Sequence, residues 1–177
     1  MKRTLFLLSI PVFFSISCEE KIDIEKEKAA IIEVIEEETK AFFDSDINRL
    51  ASYHIQDESN IRLTASKGGY SYDVGWKQIE SFFLDYFENE MGPGEFYEVK
   101  KNYKIKIYGN SASAAYDNFY YNENDDLLST SIHAQFLEKV NGDWKIVFYT
   151  SIYNSTWDNE EEAESNDQVG AEANSED

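Results

Sequence analysis

Residues 25–46, "EKEKAAIIEVIEEETKAFFDSD", place Ile31, Val34, Ile35, Glu38 and Phe42 at i, i+3, i+4, i+7 and i+11. All but Glu38 are apolar, so the spacing predicts a long helix with one stripe turned to a core. Glu36 and Lys40 stand four apart in the favourable order. A shorter helix is predicted at 46–54, "DINRLASYH", with Asp44 and Ser45 as caps and Leu50 and Tyr53 inward. Residues 59–72, "SNIRLTASKGGYSY", read as strand, tight turn and strand, Gly68–Gly69 supplying the positive backbone angles of a hairpin. "DVGWKQIESFFLDYFENE" is helical again, through Trp76, Ile79, Phe83, Tyr86 and Phe87, and Gly92–Pro93–Gly94 stops it.

The remainder alternates. In "FYEVKKNYKIKIYGN" (96–110), Tyr103, Ile105 and Ile107 fall on one side and Lys104 and Lys106 on the other. "SASAAYDNFYYN", "LLSTSIHAQFLEKV" and "DWKIVFYTSIYNS" follow, and Asn141–Gly142 marks a hairpin between the last two. Helices early and strands late predict an α+β domain, with helices on one face of a curved antiparallel sheet. In residues 114–121 both parities are apolar: Ala114, Tyr116 and Tyr120 on one, Ala115, Phe119 and Tyr121 on the other. A sheet covered on one face only should be polar on the other. The second face is therefore expected to bury against another subunit.

The segments "AAIIEVIEEETKAFFDSD", "ASYHIQDESNIRL", "VGWKQIESFF" and "HAQFLEKVNGDWKIVFYTS" resemble the nuclear-transport-factor-2-like superfamily, in the style of its SnoaL-like and calcium/calmodulin-kinase association-domain branches. The resemblance covers roughly residues 25–157, and its most specific piece is "FLEKVNGDWKIV". It implies a cystatin-like cone: a curved antiparallel sheet wrapped over a long N-terminal helix, with a pocket at the open end. It also implies a homodimer through the outer sheet face. It does not imply a chemistry, because the superfamily holds isomerases, dehydratases, cyclases and members without catalysis.

Enzymes of that superfamily use a pocket Asp or His helped by Tyr, which makes His133, Asp117 and Tyr116 the catalytic candidates here. Arg62, His54 and Tyr149 are the ligand-binding candidates, and Asp57 is a further polar residue of interest. Each has a plain reading beside it. His54 ends a short helix, where a cation is favoured near the last carbonyls. Asp57 sits in "QDES", a turn-forming stretch. Arg62 lies between Ile61 and Leu63 and shares a face with Asn60 and Thr64, a face that lines either the pocket or solvent. His133 shares parity with Ser131, Gln135 and Leu137 against Ile132, Ala134 and Phe136, and alternation alone leaves open which set faces inward. Tyr116 and Asp117 have opposite parity, so at most one of them faces a pocket.

Charge narrows the partners. The 177 residues hold 16 basic and 35 acidic side chains, a net −19, which repels phosphate backbones and argues against nucleic acid. "MKRTLFLLSIPVFFSIS" (1–17) has the basic start, apolar middle and small-residue end of a signal peptide. It leads into Cys18, the single cysteine of the chain. Ser15–Ile16–Ser17–Cys18 resembles a bacterial lipobox, with Ser15 standing where Leu is usual. The expectation is a lipid on Cys18, a short acidic tether over 18–24, the domain over 25–157 and a bacterial cell-envelope location, at the outer membrane or cell surface. Ordinary secretion or a periplasmic location is the alternative. Residues 158–177 hold nine acids and no base, and are expected to be a disordered acidic tail.

No base-activated nucleophile motif, metal-ligand spacing or glycine-rich phosphate loop is present, so no metal or cofactor is expected. Two functions remain. One is a non-catalytic cone binding a small apolar or amphipathic ligand or a partner. The other is a small acid/base enzyme of isomerase or dehydratase type with a His/Asp/Tyr pocket.

Overall fold

The computed structural model describes residues 23–88 and 96–155. The expected signal peptide, Cys18, the Gly92–Gly94 turn and the acidic tail lie outside the described residues. Helix α1 spans Ile24–Phe43. Asp23 caps it, its carboxylate accepting from the Lys26 N–H at 3.2 Å, and Glu25 and Glu27 in the first turn complement the helix dipole. Helix α2 spans Ile47–Ser52 and is capped by Asp46, whose carboxylate accepts from Arg49 N at 3.0 Å. The sequence pattern pointed to Asp44 and Ser45 instead. Asp44 closes α1, and Ser45 has φ 52°, not the extended backbone a cap uses.

Strands β1 (Ile61–Ser66) and β2 (Gly69–Val74) form the expected hairpin. β2 extends through Asp73 and Val74, which the helical pattern had claimed. Gly75 (φ 82°) then reverses the chain into α3 (Trp76–Glu88), and a Cβ there would meet the Glu58 backbone at 3.5 Å. β3 (Phe96–Tyr108), β4 (Ser111–Asn122), β5 (Leu127–Val140) and β6 (Asp143–Ser155) complete the sheet. Its order is β2-β1-β6-β5-β4-β3. Every pairing is antiparallel except β1 with β6, where the closing strand lies parallel beside the first.

Besides a register shift at the β4–β5 end, where Tyr120 pairs with Ser129 but Tyr121 with Leu127, two bulges interrupt the ladders at different levels of the sheet. On β3, Lys101 pairs with Asp117 but Lys104 with Ala115, and Asn102 between them has φ 58°. On β6, Phe148 pairs with Phe136 but Ile146 with Leu137, leaving Val147 as the extra residue. Each bulge reverses which parity points inward.

The inner face is built from Ala112, Ala114, Tyr116, Asn118 and Tyr120 of β4 and from Ser131, His133, Gln135 and Leu137 of β5. The first turns of α1 fill one end: Ile31 and Ile35 pack against Ala112, Ala114, Leu137, Trp144 and Ile146. Glu27 ties that end shut, accepting from Lys139 Nζ at 2.6 Å and Trp144 Nε1 at 2.7 Å. A second cluster, Ala41, Leu50, Trp76, Ile79 and Phe83, fastens α2 and α3 to the far end of α1. Ile132 and Ile152, paired across β5 and β6, are each 60% exposed on the outer face. No described helix is long and apolar enough to cross a membrane.

Candidate functional site

Beyond Ile35 the space under the sheet is not filled by aliphatic side chains. A cavity of about 160 Å³ opens between the last turns of α1, α3 and the inner face of the sheet. That volume suits a molecule of roughly benzene size. Its apolar walls are Phe42, Ile79, Phe82, Phe83 and Tyr86, and its polar walls come from Glu38, His54, Asn60, Arg62, Glu98 and the β4–β6 residues Tyr116, His133, Tyr149 and Tyr153.

His133 stands in a ring of hydroxyls. Its Nδ1 lies 3.3 Å from both Tyr116 and Tyr149 Oη, and its Nε2 lies 2.7 Å from Ser131 Oγ and 3.3 Å from Tyr120 Oη. One directed chain satisfies these groups. Gln135 Nε2 donates to Tyr116 (3.1 Å), leaving the Tyr116 proton for His133 Nδ1. His133 Nε2–H then donates to Ser131, Ser131 to Tyr120 (3.3 Å), and Tyr120 to Tyr153 (3.3 Å). Burial, with Lys100 adding to it, pushes the imidazole down to about 3, so it is neutral at ordinary pH. Burial likewise pushes the Tyr116, Tyr120 and Tyr149 phenols up, which keeps them as neutral donors.

A second polar group faces the cavity from the helix side. His54 is held by backbone bonds on either side of it: Ile55 N donates to Ile146 O at 2.9 Å and Ile146 N to Tyr53 O at 2.8 Å. Its Nε2 lies 3.3 Å from Glu38 Oε1, and its Nδ1 faces Asn60 Nδ2 at 3.3 Å. Asn60 Nδ2 also donates to Ile55 O (2.7 Å) and Ile146 O (3.3 Å), which fixes the orientation of the amide. Nε2 is thus the ring nitrogen that faces Glu38.

Arg62 stacks on Phe82 at 3.6 Å and pairs through one nitrogen with Asp73 at 2.8 Å. Glu98 accepts from Asn118 Nδ2 at 2.9 Å and lies 3.4 Å from Lys100 Nζ. Burial raises the Glu98 carboxyl despite these partners, and Glu38 adds to the rise.

The structure thus brings His133, Tyr116, Tyr149, Arg62 and His54 to one cavity. Asp117 is not among the lining residues. It projects from the opposite face of β4 and accepts from Asn102 Nδ2 at 2.7 Å, a consequence of strand alternation. Asp57 makes a turn, accepting from Ser59 N at 2.8 Å and Ser59 Oγ at 2.6 Å. Glu38, Glu98 and Asn60 were not picked out from sequence. The signal for Glu38 was there: one acid in an otherwise apolar helical stripe. Among the described residues, no group of three or more His, Cys, Asp or Glu side chains is placed to hold a metal ion.

No protein-family model matches the sequence, and no curated protein does. Solved structures match well. A protein of unknown function with a cystatin-like fold from Nostoc punctiforme superposes with a TM-score of 0.59 at 13% identity, over 74% of this chain and 93% of that one. The fold is nuclear-transport-factor-2-like. A nuclear-transport-factor-2-like protein of unknown function from Shewanella baltica gives a TM-score of 0.55 at 20% identity, over 76% of this chain and 99% of that one. A ketosteroid isomerase-like protein from Erwinia carotovora atroseptica gives 0.54 at 17% identity, over 73% and 98%. At these identities the likeness speaks for the nuclear-transport-factor-2-like cone and not for its chemistry.

Proposed function

We propose that the chain is a bacterial cell-envelope lipoprotein whose cone binds a small amphipathic ligand without turning it over. The neutral His133 ring carries the reading. A proton abstractor works best with a pKa near ambient pH. An imidazole pushed to about 3, with each nitrogen facing two hydroxyls, is a weak base but a good fixed hydrogen-bonding wall. Calorimetric titration with benzyl alcohol should show saturable binding of one molecule per chain. Filling the cavity by Thr39→Trp, at one of its lining residues, should abolish it. Turnover of a small substrate that is lost in His133→Gln overturns the non-catalytic reading.

The second reading is a small acid/base enzyme, favoured by one observation: a cavity carboxyl, Glu98, raised by burial, as acid/base groups often are. The likeness in fold to a ketosteroid isomerase-like protein points the same way. On this reading Glu98, not Asp117, is the group whose replacement by Gln stops the reaction.

The anchor is a thioether-linked lipid on Cys18 after removal of 1–17, and mass spectrometry of the mature N-terminus tests it; an unmodified Cys18 overturns it. The outer sheet face is read as a homodimer contact, supported by exposed Ile132 and Ile152. Light scattering should report a dimer for the parent chain and a monomer for Ile132→Lys. A monomeric parent well above micromolar concentration rules the dimer out.

A further inference from the structure

We propose that the cavity takes a small organic ammonium ion, its N–H groups directed at the Glu38 carboxylate and its carbon skeleton held among the aromatic rings. The inference rests on the reading of the cone as a ligand cavity, and it names the class of ligand.

The argument is one of unmatched charge. Arg62 lines the cavity and Lys100 lies beside its wall residue Glu98, and each of these cations already has its carboxylate. Arg62 pairs with Asp73 at 2.8 Å, and Lys100 lies 3.4 Å from Glu98 and 3.5 Å from Glu36. Glu38 differs. Among the described residues no Lys or Arg lies within ion-pair reach of it, and its charged-or-polar neighbour is His54 Nε2 at 3.3 Å. That imidazole meets one oxygen of the carboxylate, Oε1, and is itself held against Asn60. The Glu38 side chain is only 12% exposed, so its charge is kept from water without a lysine or arginine to meet it among the described residues.

The surroundings agree. Glu38 contributes to the upward push on the carboxyl of Glu98 and on the phenols of Tyr116 and Tyr149, which places its field across the cavity. Phe42, Phe82, Phe83, Tyr86, Tyr149 and Tyr153 present rings, whose faces attract cations. Asn60 Oδ1 is a buried acceptor without a hydrogen-bond partner in the same wall. An anion would meet Glu38 uncompensated, while Arg62 is already paired.

Titration of the full chain at pH 7 with benzylamine, benzyl alcohol and benzoate separates the possibilities, because the three share a ring and differ in charge. Benzylamine is expected to bind at one site at least about tenfold more tightly than benzyl alcohol, the scale of a charged hydrogen bond, with benzoate weakest. Glu38→Gln should erase that preference. If the Gln variant does not melt cooperatively, Glu38→Asp, which keeps the charge on a shorter stem, should keep the rank order with weaker binding. Thr39→Trp should abolish benzylamine binding, which attraction to the acidic surface would leave intact. Equal binding of amine and alcohol, or tightest binding of benzoate, overturns the ligand class and leaves the cavity reading standing. Binding of none of the three overturns both.

Discussion

The two ends of the cone are made from the same elements with opposite chemistry. At the closed end α1 presents Ile31 and Ile35, β4 Ala112 and Ala114, β5 Leu137, and β6 Trp144 and Ile146. A few residues along each element, the open end has Glu38 and Phe42, then Tyr116, then His133, then Tyr149 and Tyr153. Each element passes from aliphatic to aromatic and polar along its own length. Small alanines let helix and sheet approach and exclude a void. Large rings that meet edge to edge hold the walls apart and leave one. Stability is therefore expected to concentrate at the closed end and recognition at the open end.

That division can be broken by substitution. Ile35→Ala, at a fully buried position, should cost about 2–5 kcal/mol in a urea-unfolding titration. A much smaller loss would mean the closed end is not the anchor of the fold.

Acid should act mainly at the open end. His133 is neutral when folded down to about pH 3, whereas in the unfolded chain it takes a proton near its ordinary 6.5. Between those values the unfolded state binds more protons, so stability falls as pH drops, by up to about 1.4 kcal/mol per unit. Glu98, raised when folded, works in the opposite direction, its protonated form being the better tolerated one. His133→Gln should therefore flatten the acid limb of a pH–stability curve. Identical curves for parent and variant would show that His133 is not the buried neutral group described above.

Single hydroxyls should matter less. Tyr116→Phe removes one donor to His133 and one acceptor for Gln135, and should lower stability by about 0.5–1.5 kcal/mol in the same titration. Tyr149→Phe should cost less still, because Tyr116 can continue to serve Nδ1.

The element order and the helices on one face of a curved sheet were legible in the sequence because they rest on long periodic runs and an Asn–Gly turn, which local physics governs, while the cone was implied by the family resemblance. The parallel seating of β6 beside β1 was not, since nothing local to either strand encodes a partner so distant in sequence. The cavity was half legible. His133, Tyr116 and Tyr149 stood out as residue types, but alternation could not say which parity faced inward until α1 was seen to cover one side. Glu38 was visible as the misfit in an apolar stripe. Glu98 and Lys100 were hidden for a definite reason. Counting by twos from Tyr103, Ile105 and Ile107 sends them outward, and the extra residue at Asn102 brings them in.

That extra residue makes β3 behave like a text read in two frames. Upstream of Asn102 the inward letters are Glu98 and Lys100; downstream they are Tyr103, Ile105 and Ile107. Drawing Asn102 into the regular ladder would slip everything upstream of it by one residue and turn Val99 and Lys101 inward in place of Glu98 and Lys100, whereas deleting it would keep the present inward set. A change of register, with no change in any side chain, is thus enough to rewrite what this pocket can recognise.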